Sequence, residues 1–294
     1  MSVGIDRLRH SAPEAKRSAV VVDAVSGYAV SAYVNRDGPS GGDADRAVSA
    51  GSFAETEREC RASFKLTDEV AGDPPARWFS HVRPGNHELP EKPCKRADLF
   101  EFISTEPSIE LVAAAIFAWG GMQRHHARRL FEKHAWLGAA KAVREGRYSR
   151  AEAYEMFANL RRQNELPGMG PAYFTKLIFF LMPRSNAAPV GYIMDQWTAC
   201  SINVLLDQPD AVLTDATYTW AGPGKLASQF VVSDLNSGVH YEAFCQAVEA
   251  IAVALDLAPD ATELLLLSEG GRNPYPWREY VKQHRRPALN GLAA

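Results

Sequence analysis

Two short stretches of this sequence hold residues whose types and spacing could do chemistry. In Leu166-Pro-Gly-Met-Gly-Pro-Ala, Gly168 and Gly170 permit a turn that a residue with a Cβ would resist. Pro171 suits the first position of the following helix, where the amide it lacks would be unpaired anyway. Helix, glycine turn, helix would bring the backbone of Gly168, Met169, Gly170 and Ala172 to a helix N-terminus, an anion site able to hold a nucleic-acid phosphate without reading sequence. A Gly-x-Gly alone supports no more than a connection between packed helices, so the flanking Leu-Pro and the apolar helix that follows carry the stronger reading. Twenty-five residues past Gly170 stands Asp195, opening Asp-Gln-Trp-Thr-Ala, a common helix N-cap arrangement. A capping carboxylate is pinned by its own helix, so it can also be a rigid group at the mouth of a cleft.

The charge pattern supplies a partner for the hairpin. The chain carries a formal charge of −3 over 294 residues, which excludes a wholly basic nucleic-acid coat and requires a local patch. Residues 121–150 hold eight Lys/Arg (Arg124, Arg128, Arg129, Lys133, Lys141, Arg144, Arg147 and Arg150) against Glu132 and Glu145. Residues 251–270 hold four acids and no Lys or Arg. Charge segregated in this way suits a molecule that turns one face to phosphates, with Arg124 and Arg128 as candidate backbone contacts. The plainer alternative for any one arginine is a solvated helix face. His125 and His126 do not suggest a metal, because neighbours on a helix point about 100° apart and no companion ligand stands at the right spacing.

The elements that must position these groups are mostly helical. From about residue 97, apolar residues recur at three- and four-residue spacing, as in Ile109, Val112, Ala113 and Ile116 and again in Tyr154, Phe157 and Leu160. Ser149 with Glu152 three residues on predicts a capped helix start. Further helices are expected at 171–182, 195–206, 239–256, 261–268 and 275–284. Thr214 to Val232, with Tyr218, Trp220 and Phe230 among glycines, reads as a long aromatic loop. Residues 1–96 form an N-terminal region, irregular or with a short β-hairpin near Tyr28–Val34, and 97–294 a helical domain. Cys60, Cys94, Cys200 and Cys245 form no Cys-x-x-Cys pair, so they are expected to be reduced and structural. The opening residues include no apolar leader and no segment reaches about 18 uninterrupted apolar residues, so a soluble, cytoplasmic protein is expected.

The hairpin, the Gly/Pro-containing stretch from Pro183 and the aspartate that follows it resemble the helix-hairpin-helix DNA glycosylases, over about residues 97–250. Trp119-Gly-Gly-Met, Tyr173-Phe-Thr-Lys-Leu-Ile and Tyr192-Ile-Met-Asp-Gln-Trp are similar to bacterial 8-oxoguanine glycosylase-fold proteins, some of which belong to antiphage defence loci. The resemblance implies a mainly α, two-lobed fold, double-stranded DNA as partner, and excision of a flipped-out damaged or modified base with Asp195 as the catalytic carboxylate. Breaking an N-glycosidic bond develops positive charge on the sugar, which a fixed carboxylate stabilises while it orients water.

In members that also cleave the strand, a lysine two residues past the second hairpin glycine forms a Schiff base; here that position is Ala172. The default is therefore a monofunctional enzyme that leaves an abasic site. Lys176, one helical turn on and on the same face, is the alternative nucleophile of a bifunctional glycosylase/lyase. A non-catalytic DNA-binding module is the other alternative. An extruded base needs stacking and edge contacts. Trp119, Gln123, Tyr192, Trp197 and Trp220 are the candidates, against the general tendency of aromatics to be core. No metal or organic cofactor is expected, and the one ion left open is a monovalent cation at the hairpin.

Overall fold

The computed structural model describes residues 72–85, 87–184, 189–220, 226–268 and 276–286. The expected hairpin near 28–34 lies outside these residues. The protein is mainly α. Its described helices are α1 (Pro75–Ser80), α2 (Arg96–Ser104), α3 (Ile109–Trp119), α4 (Arg124–Phe131), α5 (Ala135–Arg144), α6 (Arg150–Arg162), α7 (Pro171–Leu181), α8 (Gln196–Leu205), α9 (Gly238–Leu255), α10 (Pro259–Leu267) and α11 (Pro276–His284), with strands β1 (Thr214–Trp220) and β2 (Leu226–Val232) between α8 and α9.

Two helices are apolar nearly all round and form the centre. In α3 every residue from Val112 to Ala118 is buried, and in α7 every residue from Phe174 to Leu181. A helix without a polar face is stable only when covered on all sides. α7 accordingly packs against α3, α5 and α6, while α9 covers α6, and α10 bridges α9 and α8. Trp78 of α1 joins the same core, its indole donating to the Met122 carbonyl at 3.0 Å. Start signals act where the sequence places them. The Ser149 and Glu152 pair closes a capping box at α6, with Ser149 N donating to Glu152 Oε2 at 2.9 Å and Glu152 N to Ser149 Oγ at 3.3 Å. Among the described residues no helix is long and apolar enough to cross a membrane.

The segment 214–232 is not a loop. β1 and β2 form an antiparallel hairpin with Thr214 opposite Val232 and Ala216 opposite Phe230. The physical reason was present in the sequence: Phe230 and Val232 face inward while Val231 is exposed, a period-2 pattern in β-branched and aromatic residues. Gly222, Pro223 and Gly224 suggest a loop by composition, whereas the alternation lies in the residues that flank them.

The basic stretch 121–150 is largely committed to internal contacts. Arg150 is 3% exposed and pairs with Glu242 at 2.8 Å and with Glu249, tying α6 to α9. Burial alone would lower its pKa, but the two carboxylates outweigh that and raise it. Arg144 donates to the Pro107 and Ile103 carbonyls at 2.8 and 3.1 Å. Arg128 donates from Nε and Nη2 to the His81 carbonyl at 2.9 and 2.8 Å, and Arg124 pairs with Asp73 at 3.3 Å. A count of charges along the chain therefore overstates the free positive surface.

Candidate functional site

The glycine turn between α6 and α7 has the geometry its sequence implies. Gly168 adopts φ +75°, and a Cβ there would lie 2.5 Å from the Cβ of His126, so both backbone and space demand glycine. Leu166 and Met169 are wholly buried and anchor the turn. Met169 N donates to the Leu166 carbonyl at 3.2 Å, so Met169 contributes an apolar anchor and not a free amide. The amides of Gly168, Gly170 and Ala172 have no protein acceptor among the described residues. They stand at the N-terminus of α7, where unpaired amides and the helix dipole favour an anion.

Arg161 fixes the turn from behind. Its Nη1 donates to the Leu166 carbonyl at 2.9 Å and its Nε to Asp234 Oδ2 at 3.0 Å, just past β2. The His126 ring beside Gly168 is disfavoured as a cation, first by burial, then by His125, Arg129 and Arg161. Arg129 and Arg161 thus lie near the turn, with Asp234 paired to Arg161.

Asp195 is the N-cap of α8. Its Oδ1 accepts from Trp197 N at 2.7 Å and Thr198 N at 3.0 Å, and Thr198 Oγ1 accepts from Asp195 N at 2.9 Å. The cap uses Oδ1, while Oδ2 takes no part in it. One residue earlier, Met194 N donates to Thr175 Oγ1 at 3.1 Å, and that hydroxyl donates to the Pro171 carbonyl at 2.8 Å. The segment ending in Asp195 is therefore fastened to the helix that the glycine turn begins. Asp195 itself is half-buried.

Lys176, next to Thr175 on α7, is 9% exposed. Its Nζ donates to the Ala172 carbonyl at 2.9 Å and lies 5.0 Å from the centre of the Tyr173 ring. A Cβ on Gly120 would stand 2.9 Å from Lys176 Cδ, so the glycine at the end of α3 is what lets the side chain pass. Burial lowers the Lys176 pKa, the Asp195 and Glu263 charges oppose that, and Arg96 adds to it. Glu263 of α10 is wholly buried, with Arg96 Nη2 of α2 at 2.6 Å from its Oε2. Desolvation pushes the Glu263 carboxyl up to about 7 despite Arg96.

An acid whose folded pKa lies above its unfolded value takes up protons on folding, so its contribution to stability declines as pH rises from about 4.5 through about 7. Urea denaturation of wild type and Glu263→Gln at pH 5 and pH 7.5 should show the wild type losing stability relative to the variant at the higher pH. An unchanged difference between the two pH values would refute this.

The other sequence candidates fall in different places. Trp119 is partly buried, edge-on to Phe180 at 5.2 Å, with Arg96 5.6 Å from its ring and a buried indole N–H that has no partner among the described residues. Gln123 is exposed at the N-cap position of α4 and makes no side-chain capping bond. Tyr192 is 3% exposed, its hydroxyl donating to Glu249 at 3.3 Å and its carbonyl accepting from Tyr241 at 2.7 Å. Its hydroxyl reaches α9 through Glu249. Trp197 lies under the Arg278 guanidinium at 3.7 Å and the Arg285 guanidinium at 5.1 Å. The side chain of Trp220 lies outside the described residues.

Sequence reasoning missed Thr175, Arg96, Glu263 and Arg278. Arg278, 8% exposed on α11, feels the Asp195 charge and donates to the Leu267 carbonyl at 2.5 Å. Thr175 lies within the Tyr173-Phe-Thr-Lys-Leu-Ile motif, which by itself assigns it no role, while Arg96, Glu263 and Arg278 carry no local signal because their contacts come from elements distant in the chain.

Fold and site together define a helix-hairpin-helix protein with a carboxylate fixed beside the hairpin helix. Over residues 68–267 the chain matches the family described as "Putative 8-oxoguanine DNA glycosylase OGG-like protein", and it belongs to that family. No curated protein and no solved structure matches it. Membership places the chain among the DNA glycosylases at the level of the family, with DNA as the implied partner.

Proposed function

We propose that the protein binds double-stranded DNA through the amides of Gly168, Gly170 and Ala172, extrudes one nucleotide, and hydrolyses its N-glycosidic bond to leave an abasic site. The observation that carries this reading is the 3.1 Å bond from Met194 N to Thr175 Oγ1, which binds the Asp195 segment to the hairpin helix. That bond holds the carboxylate in a fixed relation to the turn, so that one bound strand could engage both. Asp195 opposes the positive charge that develops on the sugar as the base departs and orients the attacking water. The base is damaged or modified, and its release would serve either base excision repair or defence against phage DNA with hydroxymethylated or glucosylated pyrimidines. Mass spectrometry of bases released from oxidised, genomic and modified phage DNA tests the reading and separates the two roles. A catalogue with no released base favours a DNA-binding module without chemistry.

A second reading, attack by the Lys176 amine with subsequent strand cleavage, is favoured by one specific observation. The amine is buried, its cationic form is disfavoured by that burial, and it feels the Asp195 charge. Borohydride should then trap a covalent protein–DNA adduct, and Lys176→Ala should abolish it. Base release without an adduct would leave water as the nucleophile.

A further inference from the structure

The turn that offers its amides to an anion has a carboxylate beside it. Asp234 Oδ1 lies 3.8 Å from the place a Cβ on Gly170 would occupy, and Gly170 supplies one of the three amides without a protein acceptor. Arg161 does not need that oxygen, because its Nε and Nη2 both reach Oδ2, at 3.0 Å each. Oδ1 takes no hydrogen bond among the described residues. The Asp234 side chain is 49% exposed, so the acid stands in solvent beside the hairpin and not in the core.

The backbone around Asp234 is held in place. Ser233 N donates to the Leu213 carbonyl at 3.0 Å, and the Asn236 amide donates to the Ser233 and Leu213 carbonyls at 2.9 and 2.8 Å. Gly238 N donates to Glu155 Oε2 at 2.9 Å. The chain on both sides of the acid is thus fastened, on one side to the residue before β1 and on the other to α6, the helix that leads into the turn.

An acid placed where a phosphate is to be held works against the hold. Phosphate contacts carry no sequence information, so a tight grip would retain every duplex alike and compete with the search for one nucleotide. We infer, on the hairpin reading above, that Asp234 limits the affinity of the hairpin for backbone phosphate and so sets how readily the protein releases DNA that carries no target. Arg161 offsets the acid only in part, since its guanidinium is engaged at Oδ2 and at the Leu166 carbonyl while Oδ1 is the oxygen on the Gly170 side.

Equilibrium binding of unmodified duplex oligonucleotides of unrelated sequence, followed by fluorescence anisotropy at low and high salt, tests this. Asp234→Asn removes the charge and keeps an oxygen for Arg161. It should tighten binding about three- to tenfold at about 0.05 M salt, by a similar factor on every duplex, and the gain should shrink at about 0.5 M. A merely structural role has the opposite sign, because a loosened turn binds less. In an Arg161→Met background the same substitution should give at least as large a gain, since the acid there is unopposed. If Asp234 served only to hold Arg161, its substitution would lose its effect in that background. Should Arg161→Met fail to fold, the single substitution of the exposed acid still decides the question. Unchanged or weaker binding by folded Asp234→Asn overturns the proposal. A loss seen in potassium and absent in tetramethylammonium also overturns it, by making the acid a ligand for a cation between turn and phosphate. Gly168→Ala tells this failure from that of the hairpin reading. If Gly168→Ala binds DNA as tightly as wild type, the hairpin is not the grip and the restraint falls with it. If it binds more weakly while Asp234→Asn brings no gain, only the restraint is lost.

Discussion

Asp195→Asn is expected to slow base release by about 10³-fold or more while DNA affinity stays within about threefold of wild type. The substitution isolates charge from structure. Asparagine caps helices as well as aspartate does, and its Oδ1 can still accept from Trp197 N and Thr198 N, so the start of α8 should persist. What disappears is the negative charge opposing the developing cation. Single-turnover base release together with DNA-binding titrations measures the two quantities separately. Release at the wild-type rate would remove Asp195 from the mechanism; a matching collapse of DNA affinity would make it a binding residue instead. Asp195→Ala should add the loss of the cap, about 1 kcal/mol of stability, to the same loss of rate.

Gly168→Ala should have the second largest effect, by weakening DNA binding and stability together. The φ of +75° costs an alanine about 1–2 kcal/mol, and displacing His126, whose Cβ lies 2.5 Å from the new methyl, adds about 1–3 kcal/mol more. The variant should lose about 2–5 kcal/mol by urea denaturation. Because the turn must open to relieve the contact, the amides of Gly168, Gly170 and Ala172 lose their common aim, and affinity for duplex DNA should fall by about tenfold or more. Gly170→Ala is the control. Its added Cβ meets nothing closer than Asp234 Oδ1 at 3.8 Å, so it should be much milder on both counts. Equal damage from the two substitutions would mean that the turn does not act through its backbone.

Much of this arrangement was legible in the sequence, for identifiable reasons. The helix starts at Ser149, Pro171 and Asp195 are local events, each decided by a cap or a proline within a few residues, and the structure places them where the sequence did. The hairpin at 168–170 was legible because glycine is the residue that its φ and its crowding by His126 require. The basic stretch misled because sign and spacing say nothing of partners. Arg150 and Arg144 read as surface charge, yet one is clamped by Glu242 and Glu249 and the other by two carbonyls. The contact of the Tyr192 hydroxyl with Glu249 of α9 was equally out of reach, since the two residues stand 57 positions apart. The Arg96–Glu263 pair was beyond reach, because it joins residues 167 positions apart.

The backbone leading into the carboxylate is tethered twice, Met194 N to the Thr175 hydroxyl and Asp195 N to that of Thr198. A group fastened this way cannot follow a moving target. If Asp195 acts as proposed, most of the travel of a catalytic encounter would fall to the nucleic acid, and its own distortability would act as a selective filter before any base edge is inspected. Lesions that loosen stacking would be sampled first, simply because they arrive at a stationary acid with less work.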